Sequence, residues 1–382
     1  MKRILILAVA LVVYGSLYPW QFDAARAGGV PPWLLLHGWP ARLDRFAVRD
    51  AVLNVLLYIP IGMAAFLTVA RKAPKRAAAA AGLLLAAALS FAMETLQVYI
   101  PGRDASLMDV ATNCAGGAIG VLAAAVFRRR IEARAARYSG TSAGGAAWLL
   151  GFWGIAQWYP FFPALGRTRL RLAIDALLTT HLPPGELLER TAEWFVAGLA
   201  IGAVAGGARY RIWAAAAVAL ALREVLATPP VTAAEAAGAL LAAILLTCLP
   251  GQRRGVRAGL FLMAAAIVVY ELSPFHFSAP AGPFVWVPFV ATFSSDRTAA
   301  ILVLARKAFD YGALLWLLRR EGAPPLAAAA GVAAALLALE GMQCYLPGRT
   351  PETTDAVLAL LVALLLQWRK GAGRPPVKPE QY

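Results

Sequence analysis

The stretch AAAAAGLLLAAALSFAMETLQVYIPGRDASLMDVATNCAGGAIG, residues 77–120, joins two long apolar runs by a short polar segment. The first run ends in Glu94 and Gln97, and the second contains Asp109 and Asn113. A bilayer core needs about 20 apolar residues per helix. The stretch therefore predicts two membrane-spanning helices that meet at a polar turn around Arg103.

The whole chain has the same apolar character. Of its 382 residues, 60% are hydrophobic and only 15% are charged. That balance is too apolar for a soluble protein of this length. The sequence predicts an all-α, polytopic integral membrane helical bundle.

The net charge of +15 does not indicate nucleic-acid binding. The basic residues lie in short clusters between apolar runs, such as RKAPKR at 71–76, where cytoplasmic loops of membrane proteins are positively charged. This pattern predicts that both termini are cytoplasmic. The loop at 161–190 is an exception, because it carries Arg167, Arg169 and Arg171 on the expected outer side.

The glutamate-containing stretch recurs along the chain. It returns clearly as LEGMQCYLPGRTPETTDAV at 339–357 and faintly as LREVLATPPVTAAEAAGALL at 222–241, and Glu94, Glu224 and Glu340 lie 130 and 116 residues apart. A proline in an aromatic cluster also recurs, in YGSLYPWQF, FWGIAQWYPFF and VVYELSPFHF. These recurrences predict three domain-scale repeats at 1–135, 140–252 and 255–372, followed by a disordered cytoplasmic tail at 373–382.

Each repeat has four candidate spans, which gives about twelve transmembrane helices. They lie near 4–20, 51–70, 77–99 and 107–127; 146–160, 190–207, 211–227 and 232–250; and 257–272, 299–318, 325–346 and 354–369.

On this topology, the polar residues of the first repeat converge at one membrane depth. Glu94 and Gln97 share a helix face, as do Asp109 and Asn113, and Asp50 and Asn54 lie on the neighbouring second helix. For Asp50 and Asn54 taken alone, capping of the start of the second helix is the favoured role. Small residues at Gly116, Gly117 and Gly120 predict close packing of the fourth helix against a neighbour.

Three interpretations of this polar cluster stay open. An ionisable side chain in a membrane normally faces the bundle interior and has a partner, so Arg103 could pair with Glu94 or Asp109 in a network that only holds the helices together. Alternatively, the cluster forms a ligand-binding pocket. A catalytic role for the carboxylates is a third and less favoured possibility.

Motifs of known chemistry are missing from the sequence. Cys114, Cys248 and Cys344 are far apart, no Cys/His spacing indicates a metal site, and the glycines of NCAGGAIG lack the spacing of a phosphate-binding loop. The sequence implies no cofactor and favours a protein that is not an enzyme.

The ordered combination of motifs in the first repeat resembles the VanZ-like family. The hallmark of that family is a Glu-x-x-Gln helix end, a Pro-x-Arg turn and an Asp-x-x-x-Asn-x-x-Gly helix, matched here by Glu94, Gln97, Pro101, Arg103, Asp109, Asn113 and Gly116 or Gly117. The third repeat retains Glu340, Gln343, Arg349 and Asp355 but has Ala359 in place of the asparagine. The second repeat lacks the turn and reads as scaffold.

The resemblance implies a bacterial inner-membrane protein that acts at the cell envelope. The namesake of the family is associated with resistance to teicoplanin-type glycopeptides. The leading expectation is an extracytoplasmic-facing polar site that recognises a membrane lipid or a lipid-linked envelope precursor. In it, Arg103 would bind an anion and Glu94, Gln97, Asp109 and Asn113 would shape the pocket.

Secondary candidates for such a site are Asp50, Asn54, Glu340, Gln343, Arg349 and Asp355. One alternative function is secondary transport, for which Arg223, Glu224 or Glu193 would have to line a pathway between repeats. The other is a membrane-embedded hydrolase or transferase that uses Glu94 or Asp109 as a general base.

Overall fold

The structure of the protein is a computed structural model. It describes residues 2–18, 20–28, 31, 45–103, 105–138, 141–159, 161, 166–178, 182–205, 209–226, 229–249, 251–279, 282–294 and 297–366. Within these ranges the chain is α-helical, apart from turns, a short 3₁₀ helix at Ala24–Ala27 and an isolated bridge between Val285 and Glu352. The all-α prediction is therefore confirmed. The expected tail at 373–382 lies outside the described residues.

The chain divides into two compact units, Met1–Arg137 and Tyr138–Tyr382. The helices of the first unit are α1 (Lys2–Leu17), α2 (Arg45–Val69), α3 (Lys75–Gln97) and α4 (Leu107–Tyr138). Those of the second unit are α5 (Ser142–Trp158), α6 (Arg167–Leu178), α7 (Pro184–Ala205), α8 (Arg209–Val225), α9 (Ala233–Cys248), α10 (Gln252–Leu272), α11 (Val290–Ser294), α12 (Arg297–Arg320), α13 (Pro325–Gln343) and α14 (Thr354–Leu365). The predicted second and third repeats thus share one compact unit, and the division into three repeats stays a prediction.

Each expected span coincides with a helix, but fewer of them qualify as membrane spans. Among the described residues, five segments are long and apolar enough to cross a bilayer: Asp50–Val69, Lys75–Gln97, Leu107–Ala133, Gln252–Leu272 and Pro325–Gln343. Three shorter helices, Ile4–Leu17, Ala233–Cys248 and Thr354–Leu365, are also apolar. The helices α7 and α12 are long, but several charged residues interrupt their apolar sequences.

The surface of these helices suits a lipid environment. Large apolar side chains are widely exposed along them, including Leu84, Leu122, Leu240, Phe261 and Leu326. A soluble protein rarely exposes so much contiguous apolar surface, whereas a bilayer covers it without cost.

Glycines bring α2 and α4 into backbone contact. A Cβ atom added to Gly62 would lie 2.1 Å from the carbonyl oxygen of Gly117, and one added to Gly120 would lie 2.1 Å from that of Ile59. At Gly116, an added Cβ would lie 2.2 Å from the carbonyl oxygen of Val55. The predicted close packing through these small residues is confirmed.

The first unit has two apolar clusters. One cluster joins α1, α2 and α3 through Val12, Leu17, Tyr58, Ile61 and Met93. The other lies towards the far ends of α2, α3 and α4.

The core of the second unit is larger and rich in aromatic residues. Trp153, Trp194, Phe195, Phe309 and Trp316 are all buried there. Trp153 and Trp194 pack edge to face with their ring centroids 5.0 Å apart, in the arrangement that aromatic pairs prefer.

One turn recurs at the ends of α1, α5 and α10. Trp20, Phe161 and Phe275 each have a positive φ of 63–64°. Each donates its backbone N–H to the last residue of the preceding helix, at Leu17, Trp158 and Leu272, over 2.7–2.8 Å. Left-handed backbone is uncommon for an aromatic residue. Its occurrence at three corresponding places agrees with the predicted repeats.

Candidate functional site

In the first unit, Arg103 binds the C-terminal end of α1. Its Nη2 atom donates to the carbonyl oxygens of Gly15 and Tyr18, at 3.0 Å each, and its Nε atom donates to Tyr18 at 3.3 Å. Gln97 donates to the carbonyl oxygen of Ser16 at 3.0 Å. The last carbonyls of a helix have no partner within it and carry partial negative charge, which explains why a guanidinium binds there.

Glu94 is buried and holds the segment that leads into α4. Its Oε2 atom accepts the backbone N–H of Ser106 at 3.0 Å, and the Ser106 hydroxyl accepts the N–H of Met108 at 3.1 Å as α4 begins. The Glu94 carboxylate therefore fixes the start of α4 relative to α3.

Asp109 and Asn54 connect α4 to α2. The Asn54 side chain donates from Nδ2 to Oδ1 of Asp109 at 2.8 Å. The expected capping role for Asp50 and Asn54 is wrong, because α2 begins at Arg45 and both residues lie inside the helix. The helix contains five residues before Asp50.

Asn113 lies deeper in the bundle and bonds to α3. Its Nδ2 atom donates to the hydroxyl of Ser90 at 3.0 Å, and both side chains are buried. The structure thus brings all five predicted site residues of the first unit into contacts between neighbouring helices.

The third predicted repeat reproduces this arrangement. Arg349 donates to the carbonyl oxygens of Tyr270 at 2.6 Å and of Ser273 at 3.0 Å. These residues occupy the same places relative to the end of α10 as Gly15 and Tyr18 do at the end of α1. Glu340 accepts the backbone N–H of Glu352 at 3.0 Å, twelve residues along the chain, as Glu94 does from Ser106.

Two other contacts of that repeat involve different chemical groups from those of the first repeat. Gln343 donates to the Glu271 side chain at 2.7 Å, and Lys307 bonds both oxygens of Asp355 at 2.6 and 2.8 Å. At the places that correspond to Ser90 and Asn113, the chain has Leu336 and Ala359, both buried. Both members of the hydrogen-bonded pair of the first repeat are therefore replaced by apolar residues, so neither of these two positions has a polar side chain that needs a partner.

A charged cavity lies within the second compact unit. Its volume is about 270 Å³, and its walls come from α5, α7, α8, α10 and α12. Four acidic and four basic side chains line it: Glu189, Glu193, Glu271, Asp310, Arg190, Arg223, Arg306 and Lys307. Apolar residues such as Met263, Ile267 and Leu302 complete the lining.

The α7–α8 side of the cavity is a network of opposite charges. Arg190 bonds Glu193 at 3.1 Å, and Glu193 also accepts a short hydrogen bond from Gln157. Arg223 donates to Gln157 at 2.8 Å and forms a close ion pair with the buried Glu235.

The α12 side carries the other cations. Arg306 pairs with Glu189 of α7, lies 3.9 Å from Asp310 and stacks over the ring of Tyr270, 4.5 Å from its centroid. Lys307 lies 3.7 Å from Glu271. Charged groups of both signs thus face one partly open cavity among apolar helices.

Comparison with known proteins identifies the first unit. Residues 3–128 match the model of the VanZ/LLP1 family. The first unit is a VanZ-type domain. No curated protein and no solved structure matches the chain.

With the apolar helices, this domain indicates a multi-pass membrane protein whose first unit is of the VanZ type. The matched residues cover about a third of the chain and contain the motif from Glu94 to Asn113. The cavity lies outside the VanZ-type domain. Its walls come from the predicted second repeat, which was expected to be scaffold, and from the third repeat, for which the sequence predicted a partial site at other residues.

One signal could have located the cavity from sequence. Ionisable residues inside apolar helices are costly and normally mark a buried partner or a site. The run Arg306-Lys307-Ala308-Phe309-Asp310 in the expected span at 299–318 is such a signal. Arg190, Glu193 and Arg223 on neighbouring helices supply the complementary charges. Among the described residues, no group of three His, Cys, Asp or Glu side chains has the geometry of a metal site.

Proposed function

We propose that the protein binds the charged head group of an envelope lipid or lipid-linked precursor in the cavity of its second compact unit. The observation that carries this proposal is the convergence of four acidic and four basic side chains on a space of about 270 Å³. Charged side chains among apolar helices cost several kcal/mol unless they have partners. Five of the eight are only partly buried and can also contact a polar occupant: Glu189, Arg190, Arg306, Lys307 and Asp310.

The balance of charges suggests the chemistry of that occupant. A head group with both a phosphate and an ammonium group would find arginines and carboxylates within one site, and Tyr270 adds an aromatic face. The lining residues lie at the C-terminal ends of α5, α8 and α10 and in the N-terminal halves of α7 and α12. With the N-terminus in the cytoplasm, all of these would face the outer side of the membrane.

In this proposal the VanZ motif has a structural role. The described contacts of Glu94, Gln97, Arg103, Asp109 and Asn113 run to backbone groups and side chains of neighbouring helices. Such contacts support the hypothesis that these residues form a network that holds the helices together, rather than the alternative that they form a ligand-binding pocket. In this proposal Glu94 and Asp109 hold neighbouring segments together, and their use as a general base stays the alternative.

The test uses a deletion strain complemented with Arg306→Gln. We expect this variant to reach normal membrane abundance but to lose the envelope phenotype of the parent, scored as susceptibility to teicoplanin-type glycopeptides and to envelope stress. Arg254→Gln, an exposed arginine at the start of α10, is the matched control and should complement fully. Full complementation by Arg306→Gln would reject the cavity as the working site.

Transport is the second candidate, and the placement of Arg223 and Glu193 favours it. Sequence reasoning required these residues to line a pathway between repeats, and both line the cavity. Uptake of a head-group analogue into proteoliposomes by the parent, abolished by Glu193→Gln, would favour transport. Binding without uptake would favour recognition alone.

A further inference from the structure

The helix α6 presents three different faces, and its sequence RTRLRLAIDALL shows why. Arg169 and Ala173, four residues apart, face the protein: Ala173 is buried and Arg169 is partly buried. Leu170, Ile174, Leu177 and Leu178 form an exposed apolar stripe beside them. Arg167, Thr168, Arg171 and Asp175 make up an exposed polar face that adjoins the stripe at Arg167. Leu172, 53% exposed, borders this polar face on its far side.

Arg169 fixes α6 at the end of a bundle helix. It donates from Nη2 to the carbonyl oxygen of Arg223 at 2.8 Å, lies 3.5 Å from that of Glu224 through Nε, and lies 4.0 Å from the Glu224 carboxylate. Arg223 and Glu224 belong to the last turn of α8, and α6 also packs against α9. The helix therefore lies at the level where bundle helices end, not along their length.

The apolar stripe is too exposed for a helix in water. Leu170 is 63% exposed and Leu178 is 71% exposed, with Ile174 and Leu177 at 46% and 47%. The neighbouring helix α9 exposes Leu240, Leu241 and Ile244 in the same way. α9 is one of the apolar helices of a membrane protein, so a bilayer covers its exposed side chains, and the stripe of α6 has the same exposed apolar character.

The polar face of α6 complements the negatively charged phosphates of a bilayer surface. Arg167 and Arg171 are four residues apart and exposed, with Asp175 as the single acid on that face. Each arginine near an anionic membrane surface contributes about 1 kcal/mol of attraction. Apolar residues on one side and arginines on the other are the pattern of a helix that lies in the interface plane.

We infer that α6 is an interfacial helix that binds the anionic phospholipid surface, with its leucine stripe in the acyl boundary and Arg167 and Arg171 among the phosphates. This placement accounts for the three arginines that break the charge pattern of the outer loops. One arginine anchors the helix to α8, and the other two face lipid phosphates.

The first experiment measures depth in full-length protein reconstituted in vesicles of phosphatidylcholine and phosphatidylglycerol. Nitroxide labels are placed at Leu177 or Thr168 in a background with Cys114, Cys248 and Cys344 changed to Ser. We expect the label at Leu177 to be accessible to oxygen and shielded from a water-soluble nickel complex, and the label at Thr168 to show the opposite. Equal aqueous accessibility at both positions would overturn the inference. So would shielding of Leu177 from both reagents, which would indicate a protein partner.

The second experiment tests the arginines with the same label at Leu177. Adding phosphatidylglycerol to phosphatidylcholine vesicles should deepen the label in the parent. Arg167→Gln/Arg171→Gln should lose at least half of that shift. Arg253→Gln/Arg254→Gln, which removes two exposed arginines from α10, should keep it. An unchanged shift in the α6 double variant would contradict binding through these arginines.

Discussion

At the scale of single residues, the VanZ motif connects helix ends. Arg103 and Arg349 each bind a carbonyl oxygen two residues before the last residue of a helix and another one residue after it. Glu94 and Glu340 each accept a backbone N–H twelve residues along the chain. These contacts are charge-assisted, so the glutamate fixes the turn between two helices and the arginine fixes its distance from a third.

Replacing Arg103 by Ala should therefore destabilise the protein. The carbonyls of Gly15 and Tyr18 would lose a charged donor, at a cost of about 2–3 kcal/mol. Arg103→Lys should recover only part of this, because an ammonium cannot reproduce the guanidinium fork. Thermal unfolding in detergent measures the effect, with the exposed Arg130→Ala as control. A melting temperature of Arg103→Ala equal to that of the control would contradict the structural role.

Spacing alone identified the motif residues but not their partners. The sequence suggested that Arg103 could pair with a carboxylate, and that pairing stays a prediction. The spacing did not show that Arg103 also binds the backbone carbonyls of Gly15 and Tyr18. A backbone carbonyl has no sequence signature, and its availability depends on where a helix ends. The capping role expected for Asp50 was wrong because the sequence prediction placed the start of α2 too late, near residue 51.

At the scale of elements, glycines decide how α2 and α4 pack. A side chain at Gly62 would collide with the backbone of Gly117, which cannot move without displacing the whole helix. The apolar runs predicted the position of each expected helix because lipid-facing helices need long uninterrupted apolar sequences. The short helix α6 was not predicted, because its alternating arginines and leucines lack the apolar run that indicates a membrane span.

The Gly62→Ala variant should lose about 1–3 kcal/mol of stability through overpacking. Gly331→Ala on α13 is the matched control, since an added Cβ there has no atom within 4 Å. The control should be neutral or stabilised by up to about 1 kcal/mol, because alanine favours the helix more than glycine does. Comparison of the two unfolding temperatures in the same detergent tests the packing. Equal effects of the two substitutions would show that the α2–α4 contact is looser than described.

At the scale of the whole molecule, the chain combines a VanZ-type domain with a larger second unit. The composition predicted the membrane class, and the motif predicted the family of the first unit. Neither revealed that the expected second and third repeats pack into one compact unit around a charged cavity. The position of a cavity depends on which helices pack against one another. In a single sequence, the only sign of this packing is the scattered charged residues within apolar helices.

The expected topology makes a separate prediction for the whole chain. Truncated fusions after Phe277 should place alkaline phosphatase outside the cytoplasm, where it is active. Fusions after Gly322 should place a fluorescent protein inside, where it folds, because α12 separates the two positions. Activity of phosphatase at Gly322 would reverse the assigned orientation of the second unit, and with it the outward direction of the cavity.

The central claim is that the cavity of the second unit holds a charged ligand. Native mass spectrometry of the full-length protein, purified from its own membranes in mild detergent, tests it most directly. We predict a bound small molecule or lipid on the parent, retained by Arg254→Gln and reduced at least tenfold in Arg306→Gln. The account would be contradicted if Arg306→Gln retained the same adduct as the parent. It would also be contradicted if the parent carried only lipids that Arg306→Gln and Arg254→Gln bind to the same extent.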